Sequence, residues 1–467
     1  EHPVHSLRIP GRIGQMITFA TRDLLAKISN AQYLWINMLE APLLAAILAL
    51  VIRYRNSPSG EEYLFRFNDN IPAYLLMSII VALFMGLTVS AEEIIRDRKI
   101  LKRESFLNLS RTSYLFSKIT ILFALSAIQT LLFVVVGHAI LEIRGMSLAF
   151  WAVLFSTSCF ANILGLNISS AFNSAVTIYV IIPLLLIPQI ILSGTLFSFD
   201  KLNEYITSKG KVPLVADVMA SRWAYEAMAV YQFSENAFQK PFFENEKQKS
   251  IADFRAGYMA NELRTRIRFL IDHPESNDSI SKAKAYQQAI IQNALRLKDP
   301  EGRTHYRPVM ISSDQNASAG QELLAYVSAY EQKYQDIYNY NLMVQETKLS
   351  YLEKHGWNPG WYKDHYFNES LSNLVRNAHS LNRVAEQEGK LVQLIDPIFQ
   401  DPAPAHPLDY RTAFFVSEKN LFGLHINTFY FNLMAIWLMS AALYFCLYSG
   451  LLKKALDLPE LIRSLRK

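Results

Sequence analysis

Few side chains in this sequence are placed to perform chemistry by themselves. Glu40 and His138 are ionisable residues inside long apolar stretches, where such a group is a candidate for proton transfer or ligand binding. Proton-driven transport or intramembrane hydrolysis would also need a relay or a nucleophile pair, and neither accompanies them. His355 and His365 lack evident third and fourth ligands for a metal ion. We therefore expect neither a catalytic residue nor a metal site in this chain.

Motifs of nucleotide-dependent and hydrolytic enzymes are also missing from the sequence. There is no phosphate-binding G-x-x-x-x-G-K-[ST] loop, no H-E-x-x-H, no C-x-x-C and no G-x-S-x-G. The chain is therefore not expected to hydrolyse ATP or to carry a cofactor of its own.

The segment 92–118 has the pattern that points most directly to a function. It follows an apolar stretch without a break, begins E-E-I-I-R-D-R-K-I-L-K-R-E and ends S-Y-L-F-S-K. A connection this long and this dense in charge can form a docking element. The alternative is a solvated loop that binds nothing.

Six apolar segments position this element, in a chain that is 51% hydrophobic and 19% charged. Each is long enough to cross a bilayer as a helix of about 20 residues. They are 33–52, 71–91, 119–141, 148–172, 174–199 and 426–452. The pattern predicts an all-α polytopic membrane protein, with five transmembrane helices in 31–200, a sixth at 426–452 and a cytoplasmic coupling elbow at 92–118.

The distribution of Lys and Arg predicts the orientation of the chain. Basic residues concentrate in 8–27, 96–118 and the tail 453–467, and such segments stay on the cytoplasmic side. Both termini are therefore expected in the cytoplasm. The net charge of +5 arises from this asymmetry, so nucleic-acid binding is not expected. No signal peptide is evident and the segment 201–425 contains no cysteine, which favours a bacterial inner membrane with that segment in the periplasm.

Two further segments have a clear periodicity. Residues 1–30 contain an amphipathic helix that would lie along the membrane surface or pack on a cytoplasmic partner, with an apolar stripe of Ile13, Met16, Ile17, Ala20, Leu24, Leu25 and Ile28. The extracytoplasmic segment 201–425 is predicted to be mostly helical, at about 247–272, 279–298, 319–355 and 361–389. Its tyrosines at every fourth position favour a helix-packing surface over a ligand-binding box: Tyr326, Tyr330, Tyr334 and Tyr338.

The segment 92–118 resembles the corresponding part of the membrane domain of type-2 ABC exporters. S-G at 193–194 and S-R-W-A-Y-E-A at 221–227 follow in the family's order, and the amphipathic helix stands where the family has its connecting helix. The most similar branch is the G subfamily, the white/brown and multidrug half-transporters. The resemblance covers 1–230 and 420–467, and the outer segment is far longer than in that family.

The resemblance implies roles for particular residues. One set would rest on an ATPase domain and transmit its movement: Arg22, Glu92, Arg96, Arg98, Arg103, Glu104, Tyr114 and Lys118. A second set would line a substrate cavity at a dimer axis: Leu76, Ile80, Leu83, Phe84, Leu186 and Ile190. Thr195 and Leu196 would form its outer gate. Pro183 and Pro188 each remove a backbone donor, so kinks are expected there.

The resemblance also implies partners. These are an ABC ATPase domain, carrying ATP and Mg, that precedes this chain in one polypeptide or is separate, and a second permease copy, identical or not. Glu1 in place of Met suggests a piece of a longer protein. The bilayer surrounds the spans, and the outer segment could dock a cell-envelope partner. The alternative function is a membrane anchor that displays a helical binding domain and transports nothing.

Overall fold

The computed structural model describes residues 11–55, 60, 62–103, 110–203, 205, 211–272, 278–295, 316–387, 389–404 and 406–457. The chain divides into two compact units. The membrane unit comprises Glu1–Leu202, Pro213–Gln232 and Asn427–Lys467, and the second unit comprises Asn203–Val212 and Phe233–Ile426.

Helices dominate the described ranges. In chain order they are α1 Arg12–Ser29, α2 Ala31–Ile52, α3 Ile71–Ser90, α4 Glu93–Arg103, α5 Arg111–Leu141, α6 Ser147–Ala171, α7 Ala175–Ile191, α8 Leu214–Asp217, α9 Ala220–Ser234, α10 Phe243–Asp253, α11 Ala260–Asp272, α12 Asp278–Leu295, α13 Asn316–Lys354, α14 Pro359–Tyr366, α15 Glu369–Val375 and α16 Thr428–Ser449. Short strands pair two by two: β1 Val384–Gln387 with β2 Lys390–Gln393, and β3 Glu418–Leu421 with β4 Leu424–Asn427.

The apolar helices confirm the prediction of an all-α polytopic membrane protein. Among the described residues, five helical stretches are long and apolar enough to cross a membrane, namely α2, α3 continued by α4, α5, α6 and α16. The predicted segment 174–199 forms the shorter apolar helix α7, of 17 residues, which is about 25 Å long. It ends well before residue 199, because Leu192 leaves the helical conformation and Gly194 adopts a positive φ of 82°.

Small and polar side chains bring the membrane helices together. A Cβ on Gly86 of α3 would lie only 2.6 Å from the Ser158 carbonyl oxygen of α6, so these two backbones touch where no larger residue fits. Between α5 and α6, the Asn162 amide donates to Ser126 Oγ at 2.7 Å, and Ser158 Oγ lies 2.9 Å from the same atom. These bonds satisfy polar groups that would otherwise be buried without partners.

The amphipathic helix α1 forms as predicted, but it turns its polar side inward. Gln15 and Lys27 are buried together with Phe19, whereas Ile13 and Ile17 of the apolar stripe are 75% and 59% exposed. An exposed apolar stripe is stable only where lipid or another apolar surface covers it. The buried polar side is explained by charged partners on α4 and α5.

The second unit is built around one long helical hairpin. α10 continues through a π turn at Phe254–Met259 into α11, and both pack against α13. Leu263 and Ile267 of α11 are fully buried in its core, together with Val327 of α13. The tyrosine repeat lies on this contact: Tyr334 is buried between α13 and α10 with Tyr330 and Tyr338 beside it, and Tyr326 packs against the core of α11 and α13. The prediction of a helix-packing surface is confirmed.

The prediction of a single helix at 361–389 is wrong. The chain there forms two short helices, α14 and α15, followed by the β1–β2 hairpin, in which Val384 pairs with Gln393. Asn368 accepts a hydrogen bond from the Leu371 backbone amide at 2.8 Å and so starts a new helix, and Asn377, with a φ of 50°, ends it. These local hydrogen bonds outweigh the helical periodicity.

Candidate functional site

Ionisable side chains from three helices meet inside the membrane unit. Five of them form what is called the charged cluster below: Asp23 and Lys27 of α1, Glu93 and Asp97 of α4, and Lys118 of α5. The two residues on α1 and the two on α4 have i,i+4 spacing, which places each pair on one helix face.

Lys118 is the centre of the charged cluster. Its ammonium nitrogen lies 2.7 Å from an Asp23 oxygen and 2.8 Å from oxygens of both Glu93 and Asp97, and its side chain is 3% exposed. The Lys27 ammonium is a second bridge, 2.8 Å from Asp23 and 2.7 Å from Glu93. Each charge in the cluster thus has an opposite charge at hydrogen-bond distance, as a buried ionic group requires.

The Asp23 carboxyl shows the balance of forces in the charged cluster. Burial raises its pKa, but the ammonium groups of Lys118 and Lys27 lower it by more, so its pKa lies below the ordinary value of 3.8. Asp23 is therefore ionised at neutral pH. Arg96 adds a further cation 3.0 Å from Glu93, with its side chain 54% exposed.

Aromatic side chains line the same region. The Tyr114 hydroxyl donates to an Asp97 oxygen at 3.0 Å, and the Phe19 ring meets the Tyr114 ring edge-on at 5.8 Å. The Arg22 guanidinium lies over the Phe19 ring at 5.3 Å. A cavity of about 350 Å³ opens between these rings and the charged cluster.

Helices α4 and α6 cap each other. Ser169 Oγ of α6 accepts from the backbone amides of Ile94 and Ile95 at 3.0 and 3.1 Å, at the start of α4. In return, the Arg98 guanidinium donates to the carbonyls of Ser169 and Phe172 at 3.1 and 2.7 Å, as well as to that of Ser170. This one contact therefore provides hydrogen-bond partners for the backbone amides at the start of α4 and for the backbone carbonyls at the end of α6, which have none within their own helices.

The predicted coupling residues occupy different environments. Lys118 belongs to the charged cluster, Tyr114 and Arg96 bond to it, and Arg22 lies beside it. Four others act elsewhere or lie outside the described residues. Arg98 donates to the carbonyls at the end of α6, Glu92 lies near the Tyr179 hydroxyl of α7, Arg103 is exposed, and Glu104 lies outside the described part.

Four members of the charged cluster were missed at the sequence level. These are Asp23, Lys27, Glu93 and Asp97. Their i,i+4 spacing on two amphipathic helices was a usable signal, but the sequence does not fix which face of α4 meets α5. As a result Glu92 was chosen in place of its neighbour Glu93, whose side chain is 2% exposed.

The predicted cavity and gate residues lie mostly on α3 and α7, which pack together. Leu76 and Leu83 are buried inside the membrane unit, and Phe84 is exposed. Three more are half-buried: Ile80, Leu186 and Ile190. Of the predicted gate, Thr195 is half-buried and Leu196 is exposed.

The segment 221–230 is completely buried, which its sequence does not suggest. The Arg222 guanidinium lies 3.8 Å over the Trp223 ring and 3.5 Å from a Glu226 oxygen. Asn432 of α16 donates to Glu226 at 2.9 Å, and Ser221 Oγ donates to the Gln189 carbonyl of α7 at 2.6 Å. This polar contact joins α9 to α7 and α16.

The two histidines of the second unit that were considered as metal ligands bond within their own helices. His355 Nδ1 lies 2.7 Å from the Tyr351 carbonyl oxygen, and His365 Nδ1 lies 2.8 Å from that of Trp361. Among the described residues, no group of three or more His, Cys, Asp or Glu side chains is placed to hold a metal ion.

Comparison with known proteins bears on the membrane unit. Residues 14–233 match the family model described as ABC-2 type transporter, a segment that runs from α1 into α9 and contains the charged cluster. No curated protein matches the chain. The match supports an ABC-2 permease, the membrane-embedded component of an ABC transporter, and this family pairs with an ABC ATPase.

Proposed function

We propose that this chain is the permease half of an ATP-driven exporter of the G-subfamily type, working as a dimer. It would move an apolar or amphipathic substrate outward by alternating access, powered by an ATPase domain that binds ATP and Mg. The observation that carries the proposal is the charged cluster, because it ties α4, the charged continuation of the membrane helix α3, to two other helices.

The charged cluster supports a coupling role because it makes α1, α4 and α5 move as one body. Separating Glu93 from both Lys118 and Lys27 would break two buried ion pairs, at a cost of about 3 kcal/mol or more. A displacement applied to α4 is therefore transmitted to α5 and α1 instead of being absorbed between them.

The other contacts of α4 extend this transmission to the remaining membrane helices. α4 continues α3 after two residues, Arg98 donates to the carbonyls at the end of α6, and Glu92 lies near Tyr179 of α7. A tilt of α4 would reach α3 and α7, the helices proposed to line the substrate cavity through Ile80, Phe84, Leu186 and Ile190. Thr195 and Leu196 would close that cavity above.

The exposed side of α4 is proposed to dock the ATPase domain. Arg96, Lys99 and Arg103 leave their side chains exposed along this short helix. A cationic face of this kind fits an acidic surface on the ATPase. The side that carries α4 would be the cytoplasm, with both termini there and the membrane being a bacterial inner membrane.

α7 supports the proposed dimer. Its apolar side chains Val176, Val180 and Leu184 are mostly exposed, and only three of its residues are buried. Such a helix needs lipid or a second copy to cover it. The two copies would meet along this helix and enclose the substrate cavity between them.

A second candidate function is a membrane anchor that displays the second unit to a cell-envelope partner. The observation in its favour is that the second unit has a hydrophobic core of its own, built from α11, α12 and α13. An anchor of this kind has no use for a charged extension of α3 clamped to three helices. We therefore rank it second.

The test is vanadate-sensitive ATP hydrolysis by the complex that co-purifies with this chain from its native membrane. We expect turnover in a stoichiometric complex with an ABC ATPase, and loss of substrate export when Glu93 is replaced by Gln. Absence of ATP hydrolysis at every ratio of the two components would refute the exporter and favour the anchor.

A further inference from the structure

A second cavity of the membrane unit combines an apolar floor with a cationic rim. Its volume is about 680 Å³, and it lies where α1, α4 and α5 meet the end of α16. Phe19, Leu115 and Leu447 contribute apolar surface. Arg111, Lys453 and Lys454 contribute positive charge, and this site is called the basic pocket below.

The charge of the basic pocket is not neutralised within the described part of the chain. No carboxylate there forms an ion pair with Arg111, Lys453 or Lys454, and the lining contains one acidic residue, Asp457. The Arg111 guanidinium donates to the Leu447 carbonyl at 3.2 Å, which fixes the arginine at the rim without cancelling its charge. The charged cluster differs in this respect, since carboxylates there surround each ammonium group.

The ends of two membrane helices lead us to expect the basic pocket at the depth of lipid headgroups. Arg111 is the first residue of α5, and Lys453 and Lys454 follow the end of α16; both helices are apolar enough to cross a bilayer. Cationic side chains at the ends of spanning helices lie at the headgroup level. The start of α5 also directs the positive end of its helix dipole to this place.

Helix α1 provides an independent indication that lipid lies beside the basic pocket. Phe19 of α1 lines the pocket, while Ile13 and Ile17 of the same helix expose their apolar side chains. An amphipathic helix of this kind inserts its apolar side at the boundary of headgroups and acyl chains. The pocket would therefore open next to a lipid leaflet.

We propose that the basic pocket binds an anionic phospholipid of the surrounding leaflet. Arg111, Lys453 and Lys454 neutralise the phosphate headgroup, and the apolar floor receives the adjoining part of the acyl chains. Charge complementarity selects an anionic over a zwitterionic headgroup, and the apolar floor selects a lipid over free phosphate. This site is separate from the proposed transport pathway and does not depend on ATP.

The test uses the full chain, purified and placed in phosphatidylcholine nanodiscs that contain phosphatidylglycerol. Native mass spectrometry counts the retained phosphatidylglycerol, and a photoactivatable phosphatidylglycerol maps the contact. We expect the K453Q/K454Q double variant to bind phosphatidylglycerol about 30-fold more weakly, since each basic residue near the surface contributes a factor of about five. Crosslinks in the unmodified chain should fall between Leu447 and Lys454.

The matched control is the K99Q/K354Q double variant, which removes two exposed lysines that do not line the basic pocket. It should bind phosphatidylglycerol as the unmodified chain does. An equal loss of phosphatidylglycerol binding in both variants would mean that the lipid is held by diffuse attraction to the whole surface. Unchanged phosphatidylglycerol binding in K453Q/K454Q would mean that these lysines do not contact the lipid. Either result overturns the proposal. Displacement of the lipid by inorganic phosphate would overturn it too, by showing a general anion site. Because no ATP is used, failure here leaves the exporter proposal untouched.

Discussion

Replacement of Glu93 by Gln is the perturbation that tests the charged cluster most directly. Glutamine keeps the shape of the side chain and removes one negative charge. The Glu93 carboxylate accepts from Lys27 at 2.7 Å, from Lys118 at 2.8 Å and from Arg96 at 3.0 Å. The variant therefore weakens three charge-assisted hydrogen bonds at once and leaves an excess of positive charge in a buried place.

The magnitude follows from what remains of the cluster. Lys118 keeps Asp23 and Asp97, and Lys27 keeps Asp23, so neither ammonium group loses every partner. The cost should then lie at the low end of the range for a broken buried ion pair, about 3 kcal/mol. The apolar contacts among α3, α5 and α6 do not involve Glu93, so the loss should appear as local detachment of α1 and α4.

Hydrogen exchange of the backbone amides measures such a detachment. In the Glu93→Gln variant the amides of α1 should exchange about 100-fold faster, which corresponds to about 3 kcal/mol, while those of α6 keep their protection. The matched control is Glu92→Gln, because Glu92 faces Tyr179 on α7 and should leave α1 unchanged. Unchanged exchange of α1 in Glu93→Gln, or equal loss of protection in α6, would refute the reasoning.

Three further outcomes follow from the membrane unit. Arg98→Ala should expose the last carbonyls of α6 and cost about 1–3 kcal/mol, seen as faster exchange at the end of α6 that Arg98→Lys does not fully restore. Gly86→Ala should lower the melting temperature in detergent because its Cβ meets the Ser158 carbonyl at 2.6 Å, whereas Gly257→Ala, with nothing within 4 Å, should not. Because the pKa of Asp23 is lowered, the stability it contributes is present above its ordinary pKa of 3.8 and is lost as pH falls through the folded value. Exchange of α1 should accelerate below about pH 4, and Asp23→Asn should abolish that step.

The membrane helices could be predicted from the sequence because their length and composition are set by the bilayer. An uninterrupted apolar segment has few alternatives to a helix in lipid. The end of α7 could not be found this way, since the residues up to 199 remain mostly apolar and only the backbone at Leu192 and Gly194 ends the helix. The prediction of one helix at 361–389 in the second unit was wrong for the same reason, because asparagine caps and a hairpin interrupt a periodic pattern there.

The charged cluster was predictable as a region but not as a set of residues. Charge density in 92–118 identified α4, and resemblance identified Lys118 and Tyr114. The choice between Glu92 and Glu93 depends on a rotation of about 100° about the helix axis, which charge alone does not determine. The buried side of α1 was missed for a different reason. The apolar stripe predicted a helix on the membrane surface or on a cytoplasmic partner, and nothing in the sequence indicated that α4 and α5 neutralise Asp23 and Lys27.

The choice of charges in place of an apolar contact has a consequence for the proposed coupling. Apolar side chains of similar volume at these five positions would hold α1, α4 and α5 at least as strongly, because burying an ion pair costs most of what its attraction contributes. An apolar contact, however, tolerates small sliding of one helix along another. A cluster in which Lys118 bonds three carboxylates at 2.7–2.8 Å has one arrangement that satisfies every charge. Under the proposed function, it is this single register that would let a small displacement at α4 reach the membrane helices undiminished.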